Sequence, residues 1–237
     1  EDAGKTPTSE PADGSEATVA PTETTEAAAP AGENTSSYLG GNAVSLLSPG
    51  DKGKLSVVLS GTYDGNILPL VVRNNTDKDV IRIKVSAVAR SADGKLIASG
   101  GDQGFHPNLV RAGEYSLGYL YFDGIELPAD ALFEFEVSAK DASDNQFEST
   151  RDLDVTEADY LDNRIVGLLQ NNHTENVTGP MGVSVVCLDG EGTLLGHHQS
   201  FTDKDEAAPG ESIPFQVELY GATDCSNFLV AASGFNF

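Results

Sequence analysis

From Val80 to Arg90, apolar and polar side chains alternate. Ile81, Ile83, Val85, Ala87 and Ala89 take one parity, and Arg82, Lys84, Ser86, Val88 and Arg90 the other. A period of two sends successive side chains to opposite faces, so the segment reads as a half-buried β-strand. Phe133, Phe135 and Val137 alternate with Glu134, Glu136 and Ser138 in the same way. Turn formers punctuate such runs: Asp93-Gly94, Ala112-Gly113 and Asp123-Gly124, then Asp189-Gly190, Pro209-Gly210 and Tyr220-Gly221. Gly supplies the backbone freedom that tight hairpin turns require. No amphipathic helix beyond a short turn is expected.

The chain also repeats itself. A shift of 97 residues carries Asn74-Asn75 onto Asn171-Asn172, Tyr63 onto Tyr160, Asn66 onto Asn163, Val80 onto Val177, Gly113-Glu114 onto Gly210-Glu211, Gly124 onto Gly221 and Leu132 onto Leu229. In the middle the shift becomes 98, pairing Val85-Ser86 with Val183-Ser184, Gly94 with Gly192 and Leu96 with Leu194. A fixed period of this length marks tandem structural units. The expected copies span 43–140 and 141–237, each with the size and strand rhythm of an immunoglobulin-like sandwich of about seven strands. The fold class is therefore all-β: two tandem immunoglobulin-like antiparallel β-sandwiches, each expected to fold on its own.

In the second copy the motif succession is Asn171-Asn172, Asp189-Gly190, Pro209-Gly210-Glu211 and Phe215 to Gly221; in the first it is Asn74-Asn75, Asp93-Gly94, Ala112-Gly113-Glu114 and Tyr119 to Gly124. This order resembles the FxLYD family of bacterial and archaeal surface domains. The first copy departs from the pattern at Ala112, where the family turn has Pro, and in its Tyr-Phe-Asp-Gly ending. The resemblance implies β-sandwiches on an exported, often lipid-anchored protein, and it transfers no catalytic residue.

Ahead of the repeats, residues 1–42 hold eight acids against the single base Lys5, in a background of Ala, Pro, Thr, Ser and Gly with no aromatic before Tyr38. So little apolar surface cannot offset the entropy of ordering, and the segment is expected to be a disordered, self-repelling stalk. A coil of that length spans roughly 35 Å. The sequence opens at Glu1 rather than Met. That start beside a Pro/Thr/Glu-rich stretch points to a processed, exported chain, extracellular or on the cell envelope; a lipid anchor to the outer face of the membrane is what the family resemblance implies in addition.

The formal charge of −23, with only 14 Lys and Arg, argues against nucleic acid as a partner. Membrane contact is expected only through a lipid anchor upstream of residue 1. The copies differ in charge: the first has 12 acids and 10 bases, the second 17 acids and 3 bases. In the first, Arg82, Lys84 and Arg90 share the outward side of one strand, and Arg73 is placed on its neighbour. That basic stripe is a candidate surface for a partner, either a protein or an anionic envelope polymer, and for self-association; a solvated strand face is the plainer reading.

The only cysteines, Cys187 and Cys225, lie in the second copy and are read as a disulfide closing a 38-residue loop, with two buried free thiols as the alternative. Asp141, Asp144, Asn145 and Glu148, in the joint between copies, offer oxygen ligands at short spacing for a hard cation such as Ca²⁺, though the spacing matches no EF-hand and a polar linker is the plainer reading. Four histidines are present, His106, His173, His197 and His198. The adjacent pair should point to opposite faces of a strand and so not share a metal. No cofactor is expected, and no hydrolase or redox motif is complete. The functional expectation is a non-catalytic binding, adhesion or interaction module on a flexible stalk. Two alternatives are a secreted carbohydrate-active hydrolase using paired carboxylates and an inert structural spacer.

Overall fold

The computed structural model of the chain describes residues 36, 38–124, 126–144, 149–221 and 225–236. Regular structure among them is strand, apart from two 3-10 turns at Val44–Leu46 and Ala142–Asp144. After β1 (Gly40–Gly41), the first repeat supplies β2 (Leu55–Ser60), β3 (Ile67–Asn74), β4 (Val80–Arg90), β5 (Leu96–His106), β6 (Leu109–Val110), β7 (Tyr115–Tyr121) and β8 (Leu132–Asp141). The second supplies β9 (Thr150–Leu161), β10 (Arg164–Gln170), β11 (Val177–Leu188), β12 (Leu194–Phe201), β13 (Glu206–Ala207), β14 (Ser212–Glu218) and β15 (Asn227–Phe235). Strand by strand the two plans agree, as the sequence repeat requires.

All pairings are antiparallel. The first sheet runs β2-β3-β7-β5-β4 with β8 and the short β6 also on β4, and the second runs β12-β11-β15-β9-β10-β14 with β13 on β11. Each sheet folds over on itself because one long strand serves both layers. In the first repeat, β5 pairs with β4 up to Gly101 and with β7 from Gly101 to His106, with an irregularity between Asp102 and Phe105. In the second, β9 pairs with β15 from Thr150 to Leu153 and with β10 from Asp154 to Leu161. A strand that changes layer at an irregularity is a familiar way to turn a sheet corner. The ring of strands is thus closed at a different place in each copy. It lacks a ladder between β2 and β8 in the first repeat, and between β12 and β14 in the second.

The expected alternation holds on β4, where Ile81, Ile83, Val85, Ala87 and Ala89 are buried and Arg82, Lys84 and Ser86 are exposed. The Asn-Asn signature has a structural cause. Asn74 is fully buried and its Nδ2 donates to the carbonyls of Lys78, Val110 and Arg111, while Asn171 Nδ2 donates to those of Glu175 and Ala207. In each copy one amide ties the loop after a strand to a neighbouring strand, satisfying carbonyls that would otherwise be buried without partners.

The repeats are not two separate beads. A third apolar cluster joins Val58, Val71, Tyr115 and Leu117 of the first repeat to Val186, Leu188, Leu194, Leu229 and Ala231 of the second. Here the stretches Val183–Leu188 of β11 and Phe228–Ala232 of β15 are buried on both faces, which is why, Ser184 apart, they read as apolar runs rather than alternating ones. Separate folding of each copy is therefore not what the packing supports, since either half alone would expose this face to water.

The expected stalk also ends earlier than residue 42. β1 pairs with β15 of the second repeat, and Ala43 and Leu47 belong to the shared cluster. Tyr38 is buried, its hydroxyl donates to the Tyr115 carbonyl, and its own carbonyl accepts from Val155 N–H. Ser36 Oγ donates to Glu114 at 2.5 Å. Gly41, at φ +98°, lies where any Cβ would strike the Phe228 carbonyl. Composition alone missed this clamp because only Tyr38 and Leu39 interrupt its polarity. Residues 1–35 and 37 of the expected stalk lie outside the described residues.

One ion pair crosses the junction in a buried setting. Arg111 of the first repeat approaches Asp152 of the second at 2.5 Å and Asp154 at 3.6 Å, with its guanidinium 5.7 Å from the Tyr38 ring centroid. Asp152 is 1% exposed. Removing one member of such a pair strands a buried charge. Arg111 is 36% exposed and His173 stays 3.3 Å from Asp152, so Arg111→Met should cost about 2–3 kcal/mol in denaturant unfolding, below the figure for a fully buried pair, and adding Asp152→Leu should recover most of it. A loss below about 1 kcal/mol, the range of a surface pair, would show that the pair does not hold the repeats together.

Candidate functional site: the open seam beside the repeat junction

The missing ladder in the second repeat has a local explanation. In the first repeat, β7 bonds to β5 through register pairs that include Leu117 with His106 and Tyr121 with Gly101. The 97-residue shift places Pro214 where Leu117 stands. On β14 the bond from Leu219 N–H to Asn163 fixes which residues face β10, and by alternation the N–H side of Ser212, Pro214, Gln216 and Glu218 faces away from it. Pro214 has no N–H to give. A proline at that register removes a donor from the edge that would otherwise meet β12.

The seam opens into a cleft of about 580 Å³. It is lined by β12 and Cys187, by Glu218 and Tyr220, and by Thr62, Asp64, Ile67 and Pro69 of the first repeat. Ile67, Leu195 and Tyr220 are exposed apolar side chains at its rim, Tyr220 at 82%. At the junction end, Thr62 N–H donates to the Leu194 carbonyl at 3.3 Å. Glu218 accepts from Gln216 at 2.9 Å and lies 3.7 Å from Arg164.

Three histidines collect at this junction. His197 and His198 sit opposite Val186 and Val185 on β11, and those valines belong to different apolar clusters, the junction core and the core of the second repeat. The two rings thus leave β12 on opposite faces, as expected of neighbours on a strand. His197 packs 5.0 Å from the Tyr119 ring and lies 3.3 Å from Ser184 Oγ. Burial, followed by the nearby His106 and His198, lowers its pKa to about 3. His106 reaches across from the first repeat. Its Nε2 is 3.0 Å from the Gln199 amide nitrogen, which only donates, so Nε2 accepts and Nδ1–H donates to Ser233 Oγ at 2.9 Å. Burial lowers its pKa to about 4, and a second ring proton would face the Gln199 donor. His173 behaves oppositely, raised chiefly by its hydrogen bond with Asp152.

Cys187 and Cys225 form a disulfide. It anchors the segment preceding β15 to β11 and closes a 38-residue loop, for which chain entropy predicts about 4 kcal/mol. Of the Ca²⁺ candidates, Asp141 is held by Lys78 at 2.5 Å, and that bond, with help from Ser143, pulls its pKa to about 2. Asn145, Glu148 and the Asp144 side chain lie outside the described residues. Among the described residues no group of three or more His, Cys, Asp or Glu is arranged to hold a metal.

The basic residues do not form one stripe. β3 is separated from β4 by β7 and β5, so Arg73 is not on the neighbouring strand as expected. It binds the carbonyls of Gly113 and Pro49 and caps the Tyr115 ring at 4.9 Å. Arg90 pairs with Glu134 at 3.1 Å, and Arg82 sits at a register shift with φ 53°, its N–H donating to Asn108. Lys84 remains on the outward face, but Glu134 and Glu136 of β8 line the groove there together with Ser86, Ser99 and Gly101. The face is mixed in charge.

The cleft itself was not foreseen. Two features of the sequence pointed to it: Pro214 in the place of Leu117, and the run Leu194–Phe201, which carries no Asp, Glu, Lys or Arg in a chain with 37 acids.

No protein-family model matches the chain, and no curated protein matches it.

The histidines predict a pH dependence with a definite sign. Below pH 6.5 the unfolded chain takes up protons that His106 and His197 refuse until about pH 4 and 3, so stability falls through that window. His173, raised by Asp152, opposes this by adding stability at pH below its unfolded value. Asp141 contributes only lower, as pH drops from 3.8 towards 2. Urea midpoints between pH 7.5 and 4.5 should fall for the parent and fall less for the His106→Gln, His197→Gln double variant. Identical slopes would show that the two rings are not held neutral by the junction.

Proposed function

We propose that the chain is a non-catalytic, exported binding protein whose two joined sandwiches present a ligand cleft at the open seam of the second repeat. The single observation that carries this reading is the cleft. One repeat has lost a strand ladder that its twin keeps, and the resulting opening is lined by aromatic, amide, imidazole and carboxylate groups at a junction between two units. Clefts between units with a few polar groups on an apolar surround are where ligands are usually held. The disulfide favours an oxidising compartment, and the resemblance of the repeats to FxLYD surface domains supports attachment at the outer face of a cell envelope through a lipid anchor. Divergent charge between copies of one fold supports a surface that has specialised rather than a spacer.

The test is amide chemical-shift mapping of the full chain against a panel of neutral oligosaccharides, an anionic polymer and extended peptides. One class should perturb Leu195–Gln199 and Glu218–Gly221, and His198→Ala with Tyr220→Ala should weaken that response by about tenfold or more, as loss of central contacts does. Perturbation confined to Lys84 and Arg90 would move the binding surface to the outer face of β4. Turnover of an oligosaccharide would make the protein an enzyme and overturn the reading.

A further inference from the structure

We propose that β12 takes up an extended, basic segment of a partner polypeptide as an added β-strand. The proposal rests on the binding reading above and names the ligand class for that cleft.

Three observations converge on it. The first is that β12 keeps a backbone edge with no ladder among the described residues. Thr202 N–H donates to Met181, so by alternation Ser200, His198 and Gly196 face β11, and the N–H and C=O groups of His197, Gln199 and Phe201 face the seam. The corresponding edge of β5 is paired with β7 in the first repeat.

The second is an asymmetry between the two edges that line the seam. Natural edges are usually blunted by charges or prolines, which prevent unwanted pairing. β14 is blunted in this way by Pro214 and Glu218. β12, Leu-Leu-Gly-His-His-Gln-Ser-Phe, has neither a charge nor a proline, and Leu195 and Phe201 are 40% and 58% exposed. An edge with no charge or proline to protect it, in so acidic a chain, is a hazard unless something pairs with it. Strand addition to such an edge takes affinity from main-chain bonds and specificity from alternate side-chain pockets.

The third is charge. The lining residues include Asp64 and Glu218 and no Lys or Arg, and the second repeat holds 17 acids against 3 bases. This selects a basic segment over the chain's own residues 1–35, which carry the acids of the expected stalk. Tyr220, at the mouth, offers a ring face to a cationic side chain.

The experiment uses the full chain, four peptides and one neutral oligosaccharide: an acetylated, amidated octapeptide alternating Val and Lys, the same peptide with Glu for Lys, and two Val/Lys peptides, each N-methylated on one of the two alternate sets of residues. The Val/Lys peptide is expected to bind at least about tenfold more tightly than the Glu form, with the difference shrinking in high salt and in the Asp64→Asn, Glu218→Gln variant. Exchange of the His197, Gln199 and Phe201 amides should slow on binding. N-methylation of one alternate set should lower affinity about tenfold or more, because each main-chain bond is worth about that factor, and methylation of the other set should not. If both methylated peptides bind like the parent peptide while cleft amides still shift, strand addition is overturned and the cleft reading survives. Should no peptide bind while an oligosaccharide perturbs the cleft, the ligand class proposed here is wrong but the site stands; no response from any probe removes both. Slowed exchange of those three amides on concentrating the chain alone would assign the edge to a second copy and overturn the basic-partner proposal.

Discussion

The shared apolar face between the repeats is the constraint on which the rest of the structure depends. Burying Val71 and Leu117 against Val186 and Leu229 removes one face of each sandwich from water, and it fixes how the two copies meet. Everything of functional interest lies along that meeting line. His106 is placed against Gln199 and Ser233 only because the faces are packed, and the cleft has a second wall only because Thr62 to Pro69 come to rest beside β12. The Arg111–Asp152 pair adds direction to a contact that apolar burial alone would leave free to slide. A hydrogen-bonded charge pair is stringent about geometry where dispersion is not.

The segment from Ser36 to Leu47 belongs to the same arrangement. It lies on β15 and β9 of the second repeat while Tyr38 and Ser36 engage Tyr115 and Glu114 of the first. A polypeptide leaving the body at this point is bonded to both copies at once.

Duplicated domains commonly diverge in their loops. Here the divergence is in the ladder itself. The first repeat closes its strand ring between β5 and β7; the second closes it through β9 and β15 and leaves β12 and β14 apart. Pro214 accounts for a missing donor on one side, and the polar and acidic edge of β14 accounts for its failure to find another register. β12 carries no such protection, so the opening is one-sided in its chemistry: one edge refuses pairing and the other does not.

The amino-acid sequence by itself determined the class of the fold, the repeat and the strand faces, because each depends on local periodicity, and it left each cysteine a single possible partner without deciding whether the bond forms. The alternation on β4 and the position of the buried Asn74 and Asn171 follow from residues a few places apart. It did not reveal the junction, although the doubly apolar runs Val183–Leu188 and Phe228–Ala232 carried the signal, since a strand buried on both faces looks the same whether its second cover is its own sandwich or a neighbour. Nor did it place Arg73, because strand order decides which basic residues are neighbours, and β3 and β4, adjacent along the chain, are separated by β7 and β5 in space. Only the tertiary structure decided that the cleft exists, that His106, His197 and Gln199 meet at the repeat junction, and that Tyr38 is a clamp. Those contacts join residues from about 75 to more than 120 positions apart in the chain, and no local pattern encodes an encounter that depends on two whole sheets packing first.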